Sequence, residues 1–349
     1  MKVALDATPL IEQTGGIPRY TTELSRALAQ QFPEDDYWLL SDQQFRRPAS
    51  ALPNLHFGEG PKSAAERRWW LWGLNREMSR LHIDVFHGTG FSVPYLPARP
   101  SVLTLHDLSP WLDSSWHKSA DRVRRRTPWL LRLGLAKFVI TPSEAIRRQA
   151  LERLPLRPDR VVAIPEAASG LFRPASVPPP ATPYFLYVGT LEPRKNLAML
   201  IQAWREVRKR HSVDLVLAGR CRPDFQKPDP EPGLRLLGMV PDQSLPELYS
   251  GALAVVYPSF YEGFGLPVLE AMQCGAAVFT SLDPAITDTA GGAAAQISAS
   301  DGRAWAEVLT AAAEQPDWIG GLRRKSLVRA GDFSWARTAS LTHAVYQNA

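Results

Sequence analysis

The sequence predicts an α/β protein with two domains, each a doubly wound parallel β-sheet with helices on both faces. Short apolar runs alternate with longer helical patterns, which is typical of parallel sheets covered on both sides. A proline-rich segment at 174–183 interrupts the alternation, which then restarts, and 349 residues are enough for two cores. We therefore expect two Rossmann-like domains facing a central cleft, with the carboxyl ends of the strands at that cleft.

The first domain is predicted to span residues 1–175. Its expected strands lie at 3–6, 37–40, 85–87, 102–106, 138–141 and 161–164, and its helical patterns at 17–31, 64–81, 121–133 and 144–154. The proline-rich segment has the composition of a stiff linker, and such linkers mark domain boundaries.

The second domain is predicted at 184–330, followed by a C-terminal segment at 331–349. Its expected strands lie at 184–188, 213–218, 234–237, 252–257 and 276–280. Asn196 and Ser244 each precede a helical pattern and are expected to cap it. Gly275 lies where the end of a helix requires a left-handed residue.

The most informative stretch is 262–270, in which Glu262 and Glu270 enclose a glycine-rich turn. It follows an apolar strand and precedes a helix that opens near Pro267, because proline lacks the N–H that a first helical position leaves unpaired. One carboxylate is expected on the turn and one in the first helical turn. Backbone N–H groups at a helix start hold phosphate or sugar oxygens, and a carboxylate accepts hydrogen bonds from sugar hydroxyls. The combination favours a sugar nucleotide as ligand.

Composition favours a globular protein of the cytoplasm. The hydrophobic content is 45% and the charged content is 21%, both ordinary for a soluble enzyme. No apolar run reaches the roughly 18 residues of a transmembrane helix, and the N-terminus lacks the shape of a signal peptide. Cys221 and Cys274 fit a reducing compartment, and we expect both to be small buried residues and not nucleophiles.

The net charge of +5 is concentrated in the first 175 residues. Two stretches there, 67–80 and 122–132, combine arginines with tryptophans. This combination suits the interface of an anionic membrane. Alternatively, the tryptophans pack in the core while the arginines stay solvated. The basic surplus is modest and no nucleic-acid-binding module is visible, so no nucleic acid partner is expected.

Five short motifs, taken in order, resemble those of the retaining GT-B glycosyltransferases of family 4. They lie at 15–21, 104–108, 141–143, 187–196 and 262–270, and the residues at 333–335 resemble the family's entry into its last helix. Single short motifs are weak, whereas five in the right order and strand context are specific. The resemblance covers the whole chain. It implies the GT-B fold, a C-terminal helix that crosses back to the first domain, and a nucleoside-diphosphate sugar as donor substrate.

The resemblance assigns Arg194 and Lys195 to the diphosphate of the donor. Negative charge on a departing diphosphate must be neutralised by a metal or by fixed cations. The sequence shows no Asp-x-Asp motif at a nucleotide-like cleft and no His/Asp cluster at ligand spacing. We therefore expect no metal and no other cofactor. Without the resemblance, the two residues are a solvated pair at the start of a helix.

Further donor contacts are implied by the resemblance. Glu262 would lie near the sugar ring, and Glu270 would accept hydrogen bonds from ribose hydroxyls; the alternative is that Glu270 only complements the helix dipole. Gly15 and Gly16 would cover the diphosphate, because glycine lets a backbone approach phosphate closely. The remaining expected donor contacts are Gly189, Gly219, Val240, Gly263, Phe264, Gly265 and Leu266.

His106 completes the expected catalytic group, which otherwise consists of Arg194, Lys195 and Glu262. By resemblance it contacts the transferred sugar and does not act as a general base; otherwise, a histidine at the end of an apolar strand is structural. Asp107 would order its loop or orient the acceptor. Retention is also implied by the resemblance. Because the sequence identifies no carboxylate nucleophile of the kind retaining glycosidases use, we expect a same-face substitution in which the leaving phosphate oxygen helps deprotonate the acceptor.

The predicted function is retaining, metal-independent transfer of a sugar to a saccharide or polyprenyl-linked saccharide in surface polysaccharide assembly. The variants at 192–196 and 106–108 look most like mannosyl- or rhamnosyl-type transferases, which favours GDP-mannose. We expect a cytoplasmic protein, peripheral at the inner face of the cytoplasmic membrane. The alternatives are a sugar-nucleotide epimerase or a phosphorylase on the same fold, and a non-catalytic sugar-nucleotide-binding subunit. For a phosphorylase, the sequence offers no segment with a lysine for the pyridoxal cofactor.

Overall fold

A computed structural model describes residues 1–12, 15–48, 52–113, 116, 121–223 and 225–349, except for the side chain of Arg122. The chain forms two compact units. The first consists of Met1–Glu166 together with Ser334–Ala349, and the second of Ala167–Phe333. Both are parallel sheets covered by helices, as predicted.

The first unit is built on a seven-stranded sheet. Its strands are β1 (Lys2–Asp6), β2 (Asp36–Leu40), β3 (Leu55–Phe57), β4 (Val85–Gly88), β5 (Ser101–Thr104), β6 (Phe138–Thr141) and β7 (Val161–Ala163), and its helices are α1 (Gly16–Gln31), α2 (Leu74–Leu81), α3 (Ser109–Leu112), α4 (Asp121–Arg132) and α5 (Glu144–Arg153). The strands run parallel in the order β3-β2-β1-β4-β5-β6-β7. The order reverses beside β1, which is where ligands bind in doubly wound sheets.

The second unit repeats this design with six strands. They are β8 (Tyr184–Val188), β9 (Asp214–Ala218), β10 (Leu234–Gly238), β11 (Ala254–Tyr257), β12 (Val278–Ser281) and β13 (Ala295–Ile297), and the helices are α6 (Leu197–Arg208), α7 (Leu245–Gly251), α8 (Leu266–Gln273), α9 (Pro284–Ala290), α10 (Gly302–Glu314) and α11 (Pro316–Ala330). The parallel order is β10-β9-β8-β11-β12-β13, so the sheet reverses between β8 and β11.

The last helix, α12 (Trp335–Gln347), returns to the first unit and packs along α1, as predicted. Tyr346 is buried there, and its hydroxyl lies 2.7 Å from Nδ1 of the buried His87 on β4. The other ring nitrogen of His87 lies 2.7 Å from Thr104 Oγ1. Burial is the main cause that lowers the pKa of His87 to about 3, so its imidazole is neutral and joins α12 to the sheet.

The boundary between the units differs from the predicted one. The chain enters the second unit after Glu166, ahead of the predicted domain end at 175. The physical reason is packing, because Phe172 is buried with its ring 6.0 Å from that of Tyr249. Ala175 N also donates to Ser250 Oγ at 3.0 Å. The start of the proline-rich segment is therefore tied to the second unit.

The single helix expected at 64–81 is two elements. A π-helical turn, Trp69–Gly73, precedes α2, and Arg68 O accepts hydrogen bonds from several of the following N–H groups. A Cβ on Gly73 would lie 2.0 Å from Glu66 O, so only glycine fits this tight turn.

The two expected helix caps are wrong, whereas the left-handed residue at Gly275 is confirmed, with a φ of +73°. Asn196 is left-handed, with a φ of 57°, and its side chain makes no cap hydrogen bond; its Nδ2 donates instead to Pro258 O at 3.3 Å and to Ala299 O at 2.7 Å. Ser244 has helical backbone angles at the end of a 3-10 turn, and its hydroxyl makes no cap bond. No helix in the described ranges is long and apolar enough to cross a membrane.

Candidate functional site

The loops that follow β8 and β9 are joined by backbone hydrogen bonds in the second unit. Gly189 N donates to Ala218 O, and Leu191 N donates to Arg220 O, both at 2.9 Å. A Cβ on Gly219 would lie 1.8 Å from Gly189 O, and both glycines have positive φ values, so this close approach requires glycine. The contact fixes the path of the chain into the turn that carries the predicted cations.

Arg194 and Lys195 lie in a 3-10 turn, Pro193–Lys195, that precedes α6. The guanidinium of Arg194 donates from Nε at 3.2 Å and from Nη2 at 2.9 Å to Glu192 Oε1. Its Nη1 lies 2.5 Å from Tyr261 O and 3.4 Å from Glu262 Oε2. The turn therefore presents the guanidinium to the loop that follows β11.

Glu262 contacts both cations. Its Oε1 lies 2.5 Å from Lys195 Nζ, while its Oε2 is the partner of Arg194. All three side chains are buried, with no more than 10% of each exposed. Lys195 Nζ also lies 3.5 Å from the Tyr257 hydroxyl.

The charges determine the protonation of this cluster. Burial alone would raise the pKa of Glu262, but the charges of Lys195 and Arg194 lower it below its ordinary value. Burial and the charge of Arg194 lower the pKa of Lys195, and Glu262 and Glu192 partly oppose this effect. Glu262 is therefore a carboxylate and a poor proton donor.

Asp283 fixes the backbone of the Glu262 loop. Its Oδ2 accepts from Glu262 N at 3.3 Å, and its Oδ1 accepts from Ala285 N and Ile286 N, both at 3.0 Å, which caps α9. Burial is the main cause that raises the pKa of Asp283 to about 6, and the charge of Glu262 adds to it. Sequence reasoning missed this residue, although an aspartate directly before Pro284 is a helix-start signal.

The glycine-rich turn leads from Glu262 into α8, as the sequence predicted. Gly265 has a φ of +89° and precedes Leu266, the first residue of α8. Phe264 is buried, and its carbonyl accepts from Thr289 Oγ1 at 2.6 Å. Gly263 lies between Glu262 and Phe264 in the same loop. The predicted contacts at 263–266 thus lie on one stretch of backbone between Glu262 and the start of α8.

Glu270 lies in the second turn of α8 and not in the first, because the helix already begins at Leu266. Its side chain is buried, and the Tyr249 hydroxyl donates to its Oε2 at 3.1 Å. Burial, with a contribution from the charge of Glu270, raises the pKa of the Cys274 thiol to about 12. Cys274 is therefore an inert buried thiol, as expected, while Cys221 is half-buried.

Val240, the last of the predicted contacts in this unit, follows β10. It is half-buried and packs against the core of the second unit. Gly219 N donates to Gly238 O at 2.7 Å, which joins the loops after β9 and β10. The loops after β8, β9 and β10 are thus connected at one end of the sheet.

Gly15 and Gly16 are exposed at the start of α1 in the first unit. Gly15 has a φ of +136°, a conformation that other residues rarely adopt, and a Cβ on Gly16 would meet nothing within 4 Å. The preceding residues 13 and 14 lie outside the described ranges. Among the described residues, both glycines are therefore exposed to solvent at the N-terminal end of α1.

His106 follows β5, and both of its ring nitrogens have oxygen partners. Nε2 lies 2.8 Å from Thr89 O and Nδ1 lies 3.2 Å from Glu166 Oε1. The Tyr20 ring packs edge-on, with centroids 4.8 Å apart. A carbonyl oxygen only accepts, so Nε2 carries the hydrogen. Sequence reasoning missed Glu166, because it follows Pro165 in a segment without periodicity.

Asp107 orders the loop that follows His106. Its Oδ1 accepts from Ser109 N at 2.9 Å and from Ser109 Oγ at 2.7 Å, at the start of α3. This arrangement corresponds to the first of its two predicted roles.

The arginine- and tryptophan-rich stretches divide between core and surface. Trp69 is buried, whereas Trp72 is 50% exposed and Trp129 is 53% exposed. Arg67, Arg68 and Arg125 are exposed as well. The core packing proposed for the tryptophans thus applies to Trp69 but not to Trp72 or Trp129.

No cluster of three or more histidine, cysteine, aspartate or glutamate residues that could hold a metal ion occurs in the described part of the chain.

Comparison with known proteins gives matches in both units. Residues 14–169 match the family described as "Glycosyltransferase Family 4", and residues 182–315 match "Glycosyl transferases group 1". The O-antigen chain mannosyltransferase B of Escherichia coli is 34% identical over 286 residues, which is 75% of this chain and 74% of that protein.

Solved structures share the fold across the whole chain. Sucrose-phosphate synthase from Thermosynechococcus elongatus superimposes with a TM-score of 0.76 at 21% identity, covering 99% of this chain and 98% of that one. Anabaena Alr3699/HepE, solved in complex with UDP-glucose, gives a TM-score of 0.73 at 17% identity and covers 100% of both chains. At these identities the likeness concerns the fold alone.

Proposed function

This chain belongs to glycosyltransferase family 4, with the GT-B fold, and we propose that it is a retaining, metal-independent mannosyltransferase that uses GDP-mannose. The observation that carries the proposal is the contact of Arg194 and Lys195 with Glu262, where the sheet of the second unit reverses. Two fixed cations suit a diphosphate, and a carboxylate suits sugar hydroxyls.

The two cations supply the charge that sugar transfer requires. When the bond between the anomeric carbon and the phosphate oxygen breaks, negative charge develops on the leaving diphosphate. A guanidinium and an ammonium already fixed by carboxylates need little reorganisation to receive that charge. We propose that they replace a divalent metal, so dialysis against EDTA should leave the transfer rate unchanged.

Mannose as the transferred sugar is supported by the Escherichia coli relative, an O-antigen chain mannosyltransferase. We propose the same sugar class here, with a saccharide or a polyprenyl-linked saccharide as acceptor in surface polysaccharide assembly. Glu270 would accept hydrogen bonds from the ribose hydroxyls, and the loops around Gly189, Gly219 and Val240 would line the nucleotide. Gly15 and Gly16 would cover the diphosphate.

Retention is proposed to proceed without a covalent intermediate. Glu262 is paired with two cations, which lowers its nucleophilicity as well as its pKa. In the proposed step, the bond to the leaving phosphate oxygen breaks while the acceptor oxygen bonds to the same face of the anomeric carbon. The acceptor proton passes to the leaving diphosphate. Trapping a glycosyl–Glu262 adduct would contradict this mechanism.

His106 is proposed to contact the transferred sugar. Its Nε2 hydrogen is directed to Thr89 O and its Nδ1 faces a carboxylate, so neither nitrogen is placed as the base for an acceptor hydroxyl. The pair with Glu166 holds the ring in one orientation, which suits a positioning contact.

A peripheral contact with an anionic membrane is proposed through the two arginine- and tryptophan-rich stretches. Trp72 and Trp129 are exposed aromatic side chains among arginines, which is the composition of a membrane interface. The test is co-sedimentation with vesicles that contain anionic lipid. Binding that survives replacement of Arg124, Arg125 and Arg126 by alanine would count against the proposal.

One experiment tests the donor assignment directly. A thermal-shift panel of UDP, GDP, dTDP and ADP sugars should show selective stabilisation by GDP-mannose, because ligand bound to the folded state raises Tm by mass action. The selected donor is then incubated with a polyprenyl-linked saccharide, and NMR of the product reports the anomeric configuration. Donor that is isomerised without acceptor would favour an epimerase, and inverted product would contradict retention.

A further inference from the structure

In the charged cluster, the Glu262 carboxylate already contacts both cations. Its two oxygens are divided between Lys195, at 2.5 Å, and Arg194, at 3.4 Å. Arg194 is held at the same time by Glu192 and by Tyr261 O. A diphosphate that binds these cations therefore competes with the Glu262 carboxylate for them.

We infer that Glu262 is an internal counter-anion that makes the site select nucleotide sugars over free nucleoside diphosphates. The inference rests on the proposed function and assigns Glu262 a second role in it. In the free protein the carboxylate occupies the place of the diphosphate. In the donor complex it moves to the hydroxyls of the sugar.

Moving the Glu262 carboxylate away from Lys195 and Arg194 costs free energy unless new hydrogen bonds replace these contacts. The side chain of Glu262 is 9% exposed, and a buried carboxylate that loses its cations is strongly disfavoured. Asp283 adds to this cost, because its carboxyl group contacts the backbone N–H of Glu262 and the two carboxylates repel each other. A free nucleoside diphosphate offers the displaced carboxylate nothing in return.

A nucleotide sugar can replace the contacts that Glu262 loses with the two cations. Its hydroxyl groups donate hydrogen bonds, and a displaced carboxylate with two oxygens can accept several of them. After transfer the sugar leaves with the acceptor, and the carboxylate regains its affinity for Lys195 and Arg194. The return of Glu262 to the cations then favours release of the nucleoside diphosphate, and this is the physical basis of the selection.

The test compares a diphosphate alone, a diphosphate with a nucleoside, and a diphosphate with a nucleoside and a sugar. Inorganic pyrophosphate, GDP and GDP-mannose are titrated by calorimetry into the wild type and the Glu262→Gln variant. The control variant is Glu231→Gln, since Glu231 forms an ion pair with Arg205 that is partly exposed to solvent. We expect Glu262→Gln to bind pyrophosphate and GDP about tenfold more tightly, the effect of removing one close competing charge. The affinity of this variant for GDP-mannose should change much less. The ratio of the Kd for GDP to the Kd for GDP-mannose should therefore be smaller in Glu262→Gln than in the wild type.

Glu262→Asp provides a second variant that keeps the charge in the buried cluster in case the glutamine variant fails to fold. Its shorter side chain reaches the cations less well, so pyrophosphate should again bind more tightly than to the wild type. Unchanged or weaker pyrophosphate binding in both variants would overturn the inference.

Different results would contradict the proposed donor and the inference about Glu262. If the wild type binds pyrophosphate but no sugar nucleotide, the proposed donor is wrong, and the pyrophosphate comparison still decides whether Glu262 competes for the cations. If the wild type binds neither pyrophosphate nor any sugar nucleotide, the inference and the proposed function are both overturned.

Discussion

Lys195 Nζ lies 2.5 Å from Glu262 Oε1, and this contact joins the loops that follow β8 and β11. These strands are neighbours in the sheet at the point where the strand order reverses. Ligands of doubly wound sheets bind at such a point because two loops diverge there. In this protein the two loops bring a cation and a carboxylate together, and the proposed chemistry depends on the pair.

Replacing Lys195 by methionine keeps the length of the side chain and removes its charge. We expect kcat/KM for sugar transfer to fall by about a hundredfold or more, because one of the two proposed diphosphate ligands is lost and Glu262 keeps only Arg194. Steady-state kinetics with the identified donor provide the measurement. The control is Lys209→Met, since Lys209 forms an exposed ion pair with Glu206 and should have no effect. A Lys195→Met enzyme with wild-type kcat/KM would rule out the proposed diphosphate contact.

Glu192 was not predicted as a site residue, yet it holds Arg194 through two hydrogen bonds and Arg222 through a third at 2.8 Å. We expect Glu192→Gln to lower kcat by about tenfold or more, because a guanidinium displaced by about 1 Å no longer matches the leaving group. In an Arg194→Lys background the same change should add little, since Glu192 acts through Arg194. Additive losses in the double variant would refute this positioning role.

The ribose contact of Glu270 predicts a specific loss of discrimination. Wild type should bind GDP more tightly than its 2′-deoxy analogue, because a buried carboxylate without its hydrogen-bond donor is penalised. Glu270→Gln should weaken GDP binding and reduce the difference between the two ligands. The measurement is the Kd of GDP and of its 2′-deoxy analogue, determined by calorimetry for the wild type and for Glu270→Gln. If the difference survives in Glu270→Gln, the carboxylate serves the helix and Tyr249, and not the ribose.

His106 is predicted to affect the rate without setting its pH dependence. Its ring nitrogens are engaged by Thr89 O and by Glu166, so it does not accept the acceptor proton in the proposed step. His106→Asn should lower kcat by about tenfold or more and leave the shape of the pH–rate profile unchanged. Loss of one limb of that profile would instead identify His106 as an acid or base.

Local pattern was enough to predict the two sheets and the strand–turn–helix stretch that carries Glu262 and Glu270, whereas the diphosphate role of Arg194 and Lys195 came from the family resemblance and stays a proposal. These features depend on alternating apolar runs and on short motifs that follow strands, and both are visible within about ten residues. The partners of the cations were not predictable in this way. Glu262 contacts residues 67 and 68 positions earlier in the chain, and the contact exists only after β8 and β11 pair.

The wrong cap at Asn196 has the same origin. Asn196 carries a good capping side chain, and local propensity favours that role. Its amide is instead used by two carbonyl groups, one 62 residues and the other 103 residues away, and the left-handed backbone brings it to them. At Asn196, long-range hydrogen bonds thus outweighed the local preference of the side chain for capping a helix.

The buried Asp6 at the end of β1 makes stability depend on pH. Burial, with a smaller contribution from the charge of Asp42, raises the pKa of Asp6 from 3.8 to about 6, although the hydrogen bond from Thr8 N opposes the shift. The folded state therefore binds the proton more tightly than the unfolded state, and its stabilising effect is present below about pH 4 and lost as the pH rises through about 6.

Asp6→Asn keeps an oxygen for the Thr8 N–H and removes the buried charge. Two pKa units correspond to about 3 kcal/mol, so the variant should be more stable than wild type by about 2–3 kcal/mol at pH 7.5 and by almost nothing near pH 4. Urea unfolding at both pH values measures the difference. Asp159→Asn alters an exposed carboxylate and should change the free energy of unfolding by less than about 0.5 kcal/mol. A constant difference between wild type and Asp6→Asn across the pH range would show that the Asp6 charge is not what destabilises the folded state.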